Sequence, residues 1–142
     1  MPFINVRTNT AVSDTAEQAM KRQLGQAIEA LPGKSEAWLM VNFEPEARLW
    51  FAGSDDAAAM VEVSAYGSVA DDAADSLTAR ICDILAGALG IAENRIYVKY
   101  AETPLWGWNG ANFGNLAPIA KNFIPAMKSL PFHFLLILRR YL

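Results

Sequence analysis

The order of helix and strand signals repeats along the chain, and this repeat limits the possible folds more than any other feature. Asp71 follows Asp14 by 57 residues, and each of these aspartates opens an amphipathic helical pattern. A strand pattern follows each helix, and Arg95 begins the second one 58 residues after Ala37 begins the first. The spacing predicts two β-α-β units in tandem, with both crossover helices on one face of a single sheet.

Periodicity and end signals predict where the two helices lie. In the first, Asp14 is placed to cap the helix with Glu17 three residues on, and Pro32-Gly33 ends it. In the second, aspartates occupy the first turn, where the helix dipole favours negative charge, and Gly90 ends it. The residues predicted to face inward are Met20, Leu24, Ala27, Ile28 and Leu31 in the first helix, and Leu77, Ile81, Ile84, Leu85 and Ala88 in the second.

Five strand-like runs flank these helices, at residues 3–8, 37–43, 48–52, 59–65 and 95–100. We therefore expect an α+β fold with two helices on one face of a four-stranded mixed sheet and with residues 48–52 as a short extra strand. Residues 37–41 are apolar at successive positions, so the opposite face of the sheet is expected to be apolar too. Self-association into a closed homo-oligomer is the economical way to cover such a face.

Composition narrows the functional classes. A chain of 142 residues with a net charge of -3 fits one domain and gives no electrostatic case for binding nucleic acid. One cysteine, Cys82, and one histidine exclude an internal disulfide and a typical zinc site, so neither a metal nor a cofactor is expected. The N-terminus lacks the pattern of a signal peptide, which predicts a cytoplasmic start and an unconventional export route for any extracellular action.

The last part of the chain differs in charge from the rest. Residues 115–142 hold four basic residues and no acidic one, whereas residues 1–114 hold eight basic and fifteen acidic residues. This predicts one domain over 1–114 and a basic, apolar extension over 115–142. The apolar run at 132–138 is too short to cross a bilayer, which takes about 20 apolar residues. A packed appendage, a membrane-surface or partner-binding segment and a poorly ordered extension remain open, and the three prolines in the extension favour the first or the last.

Pro2 stands behind the initiator methionine at the head of an apolar, strand-like run. If Met1 is removed, the first atom of that strand is a secondary amine. A free α-amino group has a pKa of about 7.7 to 8, and burial lowers it further, so such a group can act as a general base at neutral pH. Proline is also tolerated as the first residue of a strand for purely structural reasons, and position alone favours that explanation.

Several short segments together match a known family. They are Pro2-Phe3-Ile4, Gly33-Lys34, Phe51-Ala52-Gly53-Ser54, Arg95-Ile96-Tyr97 and the aromatic segment at 106–113. With the doubled β-α-β unit, their order and spacing resemble the macrophage migration inhibitory factor family of the tautomerase superfamily, from Pro2 to about Gly114. The resemblance implies a homotrimer whose three sheets form a central barrel, and keto-enol tautomerase activity on small aromatic keto acids of the phenylpyruvate type and on dopachrome-type substrates.

The resemblance also implies roles for individual residues. Pro2 takes the role of base and then acid, and Lys34 matches the lysine that binds the substrate carboxylate, although a lone lysine after Pro-Gly is otherwise an ordinary surface charge. Tyr66 matches a position whose backbone contacts lie near the proline. Tyr97 matches the tyrosine lent by the neighbouring subunit, and its alternative is simple packing on a strand.

The remaining site positions either match the family pattern or depart from it. Trp108 and Phe113 match aromatic walls of the pocket, and both are also compatible with ordinary core packing. Lys99 stands where mammalian members carry a pocket asparagine, so it is either a second cation beside Lys34, which would help to depress the pKa of the Pro2 amine, or a residue outside the pocket. Trp106 replaces a smaller aliphatic residue and would narrow the pocket mouth.

Two alternatives to an enzyme remain. The first is a cytokine-like protein that binds a cell-surface receptor and whose pocket activity is incidental, and it follows from the resemblance alone. The second is a protein that binds membrane surfaces through its C-terminal extension, and it follows from the apolar and basic residues at 132–140.

Overall fold

The computed structural model describes residues 1–113 and contains both predicted β-α-β units. Their elements are β1 (Pro2–Thr8), α1 (Asp14–Ala27) and β2 (Met40–Glu44), then β3 (Ala59–Tyr66), α2 (Asp71–Leu89) and β4 (Ile96–Thr103). These strands form a sheet in the order β2-β1-β3-β4. Strand β1 runs parallel to β2 and β3 runs parallel to β4, while β1 and β3 are antiparallel. The predicted α+β fold with a mixed four-stranded sheet is confirmed.

The core lies between the sheet and the two helices. Alternate side chains of the central strands point into it, namely Ile4 and Val6 on β1 and Val61 and Val63 on β3, and all four are buried. The inward faces predicted for the helices are confirmed: Met20, Leu24, Ala27, Ile28, Leu31, Leu77, Ile81 and Leu85 are buried, while Ile84 and Ala88 pack against the core and remain partly exposed. The apolar faces of the strands and of the two helices therefore pack together in one core.

The helix ends follow local capping chemistry, with one correction to the sequence prediction. Ser13, and not Asp14, caps α1, because the Ser13 Oγ accepts a hydrogen bond from the Ala16 N–H at 3.1 Å. Asp14 is the first helical residue, where its charge suits the helix dipole. Gly90 ends α2 in the left-handed conformation with φ +68°, as predicted from its position.

Two predicted strands differ from what the structure contains. Residues 37–39 are not part of β2, because Glu36–Trp38 form a 3-10 turn and the strand begins at Met40. Residues 48–52 form no strand; a tight turn instead joins Phe51 and Ser54, which exchange backbone hydrogen bonds at 2.9 and 3.0 Å. The apolar residues of both segments resemble strands in sequence, but their backbones turn.

The side of the sheet opposite the helices, here named the open face, is mixed, so the expected apolar face is only partly present. Its apolar side chains include Phe3, Met40 and Met60. Polar side chains lie beside them. Arg7 Nε donates to Glu44 Oε2 at 2.6 Å, and the pKa of Glu44 is lowered by this bond and, to a smaller extent, by the bond from Asn5. Asn42 donates to Asn5 Oδ1 at 2.8 Å, and Glu62 lies 4.0 Å from Arg7. The register of the strands brings these polar side chains together, so the open face carries a hydrogen-bonded ionic network.

Contacts divide the chain into two units, Met1–Thr103 and a second unit that begins at Pro104. The described part of the second unit is a hairpin of β5 (Trp106–Trp108) and β6 (Ala111–Phe113), two short strands at positions where the sequence analysis placed none. The predictions for residues 115–142 lie outside the described residues. Within residues 1–113, neither helix combines the length and the apolar character needed to cross a bilayer.

Candidate active site

The N-terminus is fixed against the end of β3. Pro2 is buried and pairs with Ala65, and the carbonyl of Met1 accepts a hydrogen bond from the Tyr66 N–H at 3.0 Å. The proline costs the sheet no ladder bond at this first position of the strand. The α-amino end of the chain is therefore held at a defined place beside Tyr66.

The side chain of Lys34, which follows α1 in the chain, extends to Tyr66 as well. The turn that follows α1 holds its backbone, because the Lys34 N–H donates to the Leu31 carbonyl at 3.0 Å. Its Nζ donates to the Tyr66 carbonyl at 2.8 Å and lies 5.9 Å from the centroid of the Tyr66 ring. The structure thus brings Pro2, Lys34 and Tyr66 together, although they are far apart in sequence.

The electrostatics of this place favour a neutral amine. The pKa of the Met1 α-amino group is lowered from 8.0 to about 6, first by burial, then by the positive charge of Lys34, and then by a hydrogen bond with Lys34. An amine with this pKa is mostly unprotonated at neutral pH, which is the form that can accept a proton.

Tyr97 and Lys99 lie elsewhere in the same chain. Tyr97 shares a cross-strand row with Arg7, five residues along β1 from Pro2, which corresponds to about 16 Å at 3.3 Å per residue. Lys99 Nζ lies 3.8 Å from Glu62 Oε2 on the open face. A single chain does not place Lys99 beside Lys34, so the two lysines do not form one cationic pocket within it.

The aromatic residues predicted to line the pocket form their own cluster in the hairpin. Trp106 pairs with Phe113 across the two strands, and the rings of Trp108 and Phe113 lie 5.8 Å apart. A cavity of about 230 Å³ is lined by Trp108, Asn109, Ala111, Asn112 and Phe113. The prediction that Trp106, Trp108 and Phe113 surround the catalytic proline stays a prediction.

One contact of Tyr97 was not predicted from the sequence. Its ring meets the ring of Phe51 with centroids 4.7 Å apart and an interplanar angle of 65°. Both residues belong to segments that match the family, and that match was the only signal pointing to them. Nothing in the sequence indicated that the two segments touch.

The described residues offer little for thiol or metal chemistry. Burial raises the pKa of the Cys82 thiol, and the charges of Glu93 and Asp83 raise it further, so the reactive thiolate is disfavoured. Among residues 1–113 no three histidine, cysteine, aspartate or glutamate side chains are grouped so that they could hold a metal ion.

A doubled β-α-β sheet whose first strand opens on a proline beside a lysine defines a protein of the tautomerase superfamily. The sequence profile of the family called macrophage migration inhibitory factor (MIF) matches residues 1–114. The chain therefore belongs to the macrophage migration inhibitory factor family, and its recognition from the sequence is confirmed.

Individual relatives agree with this assignment. A macrophage migration inhibitory factor of Xenopus laevis is 30% identical over 118 residues, which cover 80% of this chain and 99% of the relative. The crystal structure of Leishmania major MIF2 is 32% identical and superposes with a TM-score of 0.75 over 80% of this chain and 97% of that one. A homologue from Prochlorococcus marinus is 27% identical, with a TM-score of 0.72 over 79% of this chain and 99% of that one.

Proposed function

We propose that this protein is a keto-enol tautomerase in which the amine of Pro2 is the general base and then the general acid. The neutral nitrogen removes a proton from the carbon beside the substrate carbonyl and returns it at the tautomeric position. The substrate is an isomer of the product, so no electrons are gained or lost and no cofactor is needed. The substrates we propose are small aromatic keto acids of the phenylpyruvate type and dopachrome-type compounds, with their carboxylate bound by Lys34.

The observation that carries this proposal is the environment of the chain's amino group. Burial and the neighbouring Lys34 lower the pKa of the Met1 amine to about 6. Once Met1 is removed, the amine belongs to Pro2, which is buried at the start of β1. We expect burial and the charge of Lys34 to lower the pKa of that amine as well, and we propose that Lys34 binds an anionic substrate there.

Removal of Met1 is a condition of the mechanism. While Met1 is present, the nitrogen of Pro2 is an amide and has no basic lone pair to accept a proton. The small side chain of proline favours cleavage of the methionine before it. We therefore propose that the active form begins at Pro2.

A homotrimer would complete the site. Tyr97 and Lys99 lie on rows of the sheet away from Pro2 in their own chain, which supports a site to which a neighbouring copy lends them. We propose that Tyr97 of one copy contacts the aromatic part of a substrate held at Pro2 of the next, with Lys99 as a second cation. Trp106, Trp108 and Phe113 are proposed as walls of the pocket, with Tyr66 at its base.

The test begins with intact-mass analysis to obtain protein that starts at Pro2. Enol-to-keto conversion of hydroxyphenylpyruvate is then compared among the wild type, Pro2→Gly, Lys34→Ala and the control Lys21→Ala, which removes an exposed lysine of α1. Loss of a general base lowers kcat by about 10²- to 10⁴-fold, so Pro2→Gly should fall by that factor. Lys34→Ala should raise KM, and Lys21→Ala should match the wild type. Equal rates for the wild type and Pro2→Gly would refute the role of Pro2.

The assembly is tested separately by sedimentation equilibrium. A mass of three chains is expected, and a monomer that retains full activity would refute the shared site. The same measurement on Pro2→Gly should also give three chains, because that change removes the proline ring and leaves the sheet intact.

The alternative is a cytokine-like protein that binds a cell-surface receptor. The observation that favours it is the relatives' name, which describes inhibition of macrophage migration. Such an action would require release from the cytoplasm, where we propose the protein is made, by an unconventional route. If Pro2→Gly abolished tautomerase activity but retained a full effect on macrophage migration, the alternative would be supported; an inert wild-type protein would count against it.

A further inference from the structure

Two segments that match the family meet in the structure, and of their residues only Tyr97 has a place in the proposed chemistry. They are the turn formed by Phe51-Ala52-Gly53-Ser54, here named the 51–54 turn, and the segment Arg95-Ile96-Tyr97. The guanidinium of Arg95 donates to four backbone carbonyls: Nε to Ala57 at 3.0 Å, Nη1 to Phe51 at 3.2 Å, and Nη2 to Ser54 at 3.1 Å and Asp56 at 3.0 Å. One side chain thus fixes the turn and the residues that follow it.

The 51–54 turn needs this support because its backbone is strained. Ala52 has φ +51° and Gly53 has φ +76°. Glycine adopts this region freely, but a residue with a Cβ such as Ala52 is disfavoured there. Such conformations persist only where the surroundings enforce them, and they concentrate at functional sites. The bonds from Arg95 to the carbonyls of Phe51 and Ser54 supply that enforcement, together with the backbone bonds between these two residues.

The turn supports Phe51, and Phe51 supports Tyr97. The Arg95 guanidinium lies 5.2 Å from the centroid of the Phe51 ring, and the Phe51 ring packs against Tyr97 in a T-shaped arrangement at 4.7 Å. Tyr97 is 59% exposed, so the core does not fix its ring. The contact with Phe51 restricts a side chain that is otherwise free to change rotamer.

We propose that Arg95 is a positioning residue for Tyr97 and acts through the 51–54 turn and Phe51. The proposal rests on the proposed function, in which Tyr97 contacts the aromatic part of the substrate. A ring held in one orientation binds a flat substrate better than one that samples several, because less freedom is lost on binding. Arg95 and Phe51 thereby determine the preference for aromatic keto acids without touching them.

Three variants separate positioning from charge. Arg95→Lys keeps the positive charge, but an ammonium group lacks the planar fork that reaches four carbonyls. Phe51→Leu keeps the backbone of the turn and removes the aromatic contact. Arg80→Lys makes the same exchange at an exposed site on α2 and serves as the control.

The first measurement is the steady-state conversion of hydroxyphenylpyruvate. An aromatic contact of this kind corresponds to roughly a three- to tenfold change in affinity. Arg95→Lys and Phe51→Leu should each raise KM by that factor with kcat within twofold, and Arg80→Lys should leave both unchanged. Unchanged KM in Phe51→Leu would overturn the proposal, even if Arg95→Lys failed to fold.

The second measurement needs no enzymatic activity. In protein labelled with fluorotyrosine, the ¹⁹F resonance of Tyr97 is assigned by its loss in Tyr97→Phe. It should move in Phe51→Leu, which removes the ring current, and in the same direction in Arg95→Lys. A resonance that stays in place in Arg95→Lys would overturn the coupling. An inactive wild type whose resonance moves as expected would refute the proposed function and still support the positioning of Tyr97 by Arg95.

Discussion

Replacing Lys34 with methionine should raise the pKa of the Met1 α-amino group, but not to its ordinary value. Burial is the largest cause of the lowered pKa in the wild type, and the charge and hydrogen bond of Lys34 are the second and third. Lys34→Met removes the last two and leaves the first. The new pKa should therefore lie between the wild-type value of about 6 and the reference value of 8.0.

These limits set the size of the effect. An amine with a pKa of about 6 is about 91% neutral at pH 7, and one with a pKa of 8.0 is about 9% neutral, so Lys34→Met lowers the neutral fraction by at most about tenfold. The sign for stability follows from the same values. Because the folded pKa lies below the unfolded one, the unfolded chain binds more protons between pH 6 and pH 8, and the free energy of unfolding contributed by this group rises with pH across that window.

The assay is an NMR titration of protein that retains Met1 and carries ¹³C-labelled methionine. The Met1 Cα resonance is identified by its absence from protein that starts at Pro2. Its midpoint should lie near pH 6 in the wild type and in the control Lys21→Met, and at a higher pH in Lys34→Met. A midpoint in Lys34→Met that equals or falls below the wild-type value would refute the electrostatic reasoning, as would an equally large shift in Lys21→Met.

Three further predictions concern stability and are measured by urea unfolding. Tyr100→Phe should lower the free energy of unfolding by about 1 kcal/mol, because the Tyr100 hydroxyl donates to a carbonyl of α2 at 2.9 Å. The control Tyr97→Phe should change the free energy of unfolding by no more than about 0.5 kcal/mol, and equal effects of the two changes would contradict this prediction. Gly87→Ala should raise the free energy of unfolding by about 0.5–1 kcal/mol, because the new Cβ on this helical residue meets open space. Gly90→Ala should lower the free energy of unfolding, because Gly90 has φ +68°, and a Gly90→Ala variant more stable than Gly87→Ala would refute this reasoning. Asn9→Ala should lower the free energy of unfolding by about 2 kcal/mol, because the Asn9 side chain forms hydrogen bonds with four backbone groups in residues 49–58. The same change should speed amide hydrogen exchange in residues 49–58, and unchanged exchange there would contradict the prediction.

The parts of the fold that were predictable from the sequence depend on local signals. Helix α2 begins at Asp71 and ends before Gly90, as predicted, because its acidic first turn and its C-terminal glycine act within one turn of the helix. The buried residues Leu77, Ile81 and Leu85 follow from the 3.6-residue period alone. The tandem repeat then fixes how the elements are ordered in the sheet.

The errors arise where distant residues decide the local structure. Residues 48–52 have the composition of a strand, but Arg95 bonds the carbonyl of Phe51 across 44 positions of sequence, and a turn forms. The open face was expected to be apolar because Trp38 and Leu39 were counted as strand residues. Because the strand begins only at Met40, Trp38 is not part of that face. Its residues on β2 are Met40, Asn42 and Glu44, and the last two meet Asn5 and Arg7.

The site was only partly predictable for a similar reason. Burial of Pro2 at the start of a strand follows from its sequence context. Its proximity to Lys34 came from the family resemblance, since nothing local indicates that the Lys34 side chain reaches the Tyr66 carbonyl. The contact between Phe51 and Tyr97 depends on the folded position of two segments and leaves no periodic or compositional trace.

The mixed character of the open face changes the main reason for expecting self-association. A face on which ion pairs such as Arg7 with Glu44 lie beside Phe3 and Met40 gains less from being covered than an apolar one, so burying it is the weaker cause for a trimer. The separation of Pro2 from Tyr97 is a better one, because a site that needs both is incomplete in one chain. A contact between two different surfaces, one on each copy, is heterologous. Such contacts form a closed ring when the rotation from one copy to the next returns to the first. We therefore infer that completion of the active site, more than burial of an apolar sheet face, is what a ring of copies would achieve.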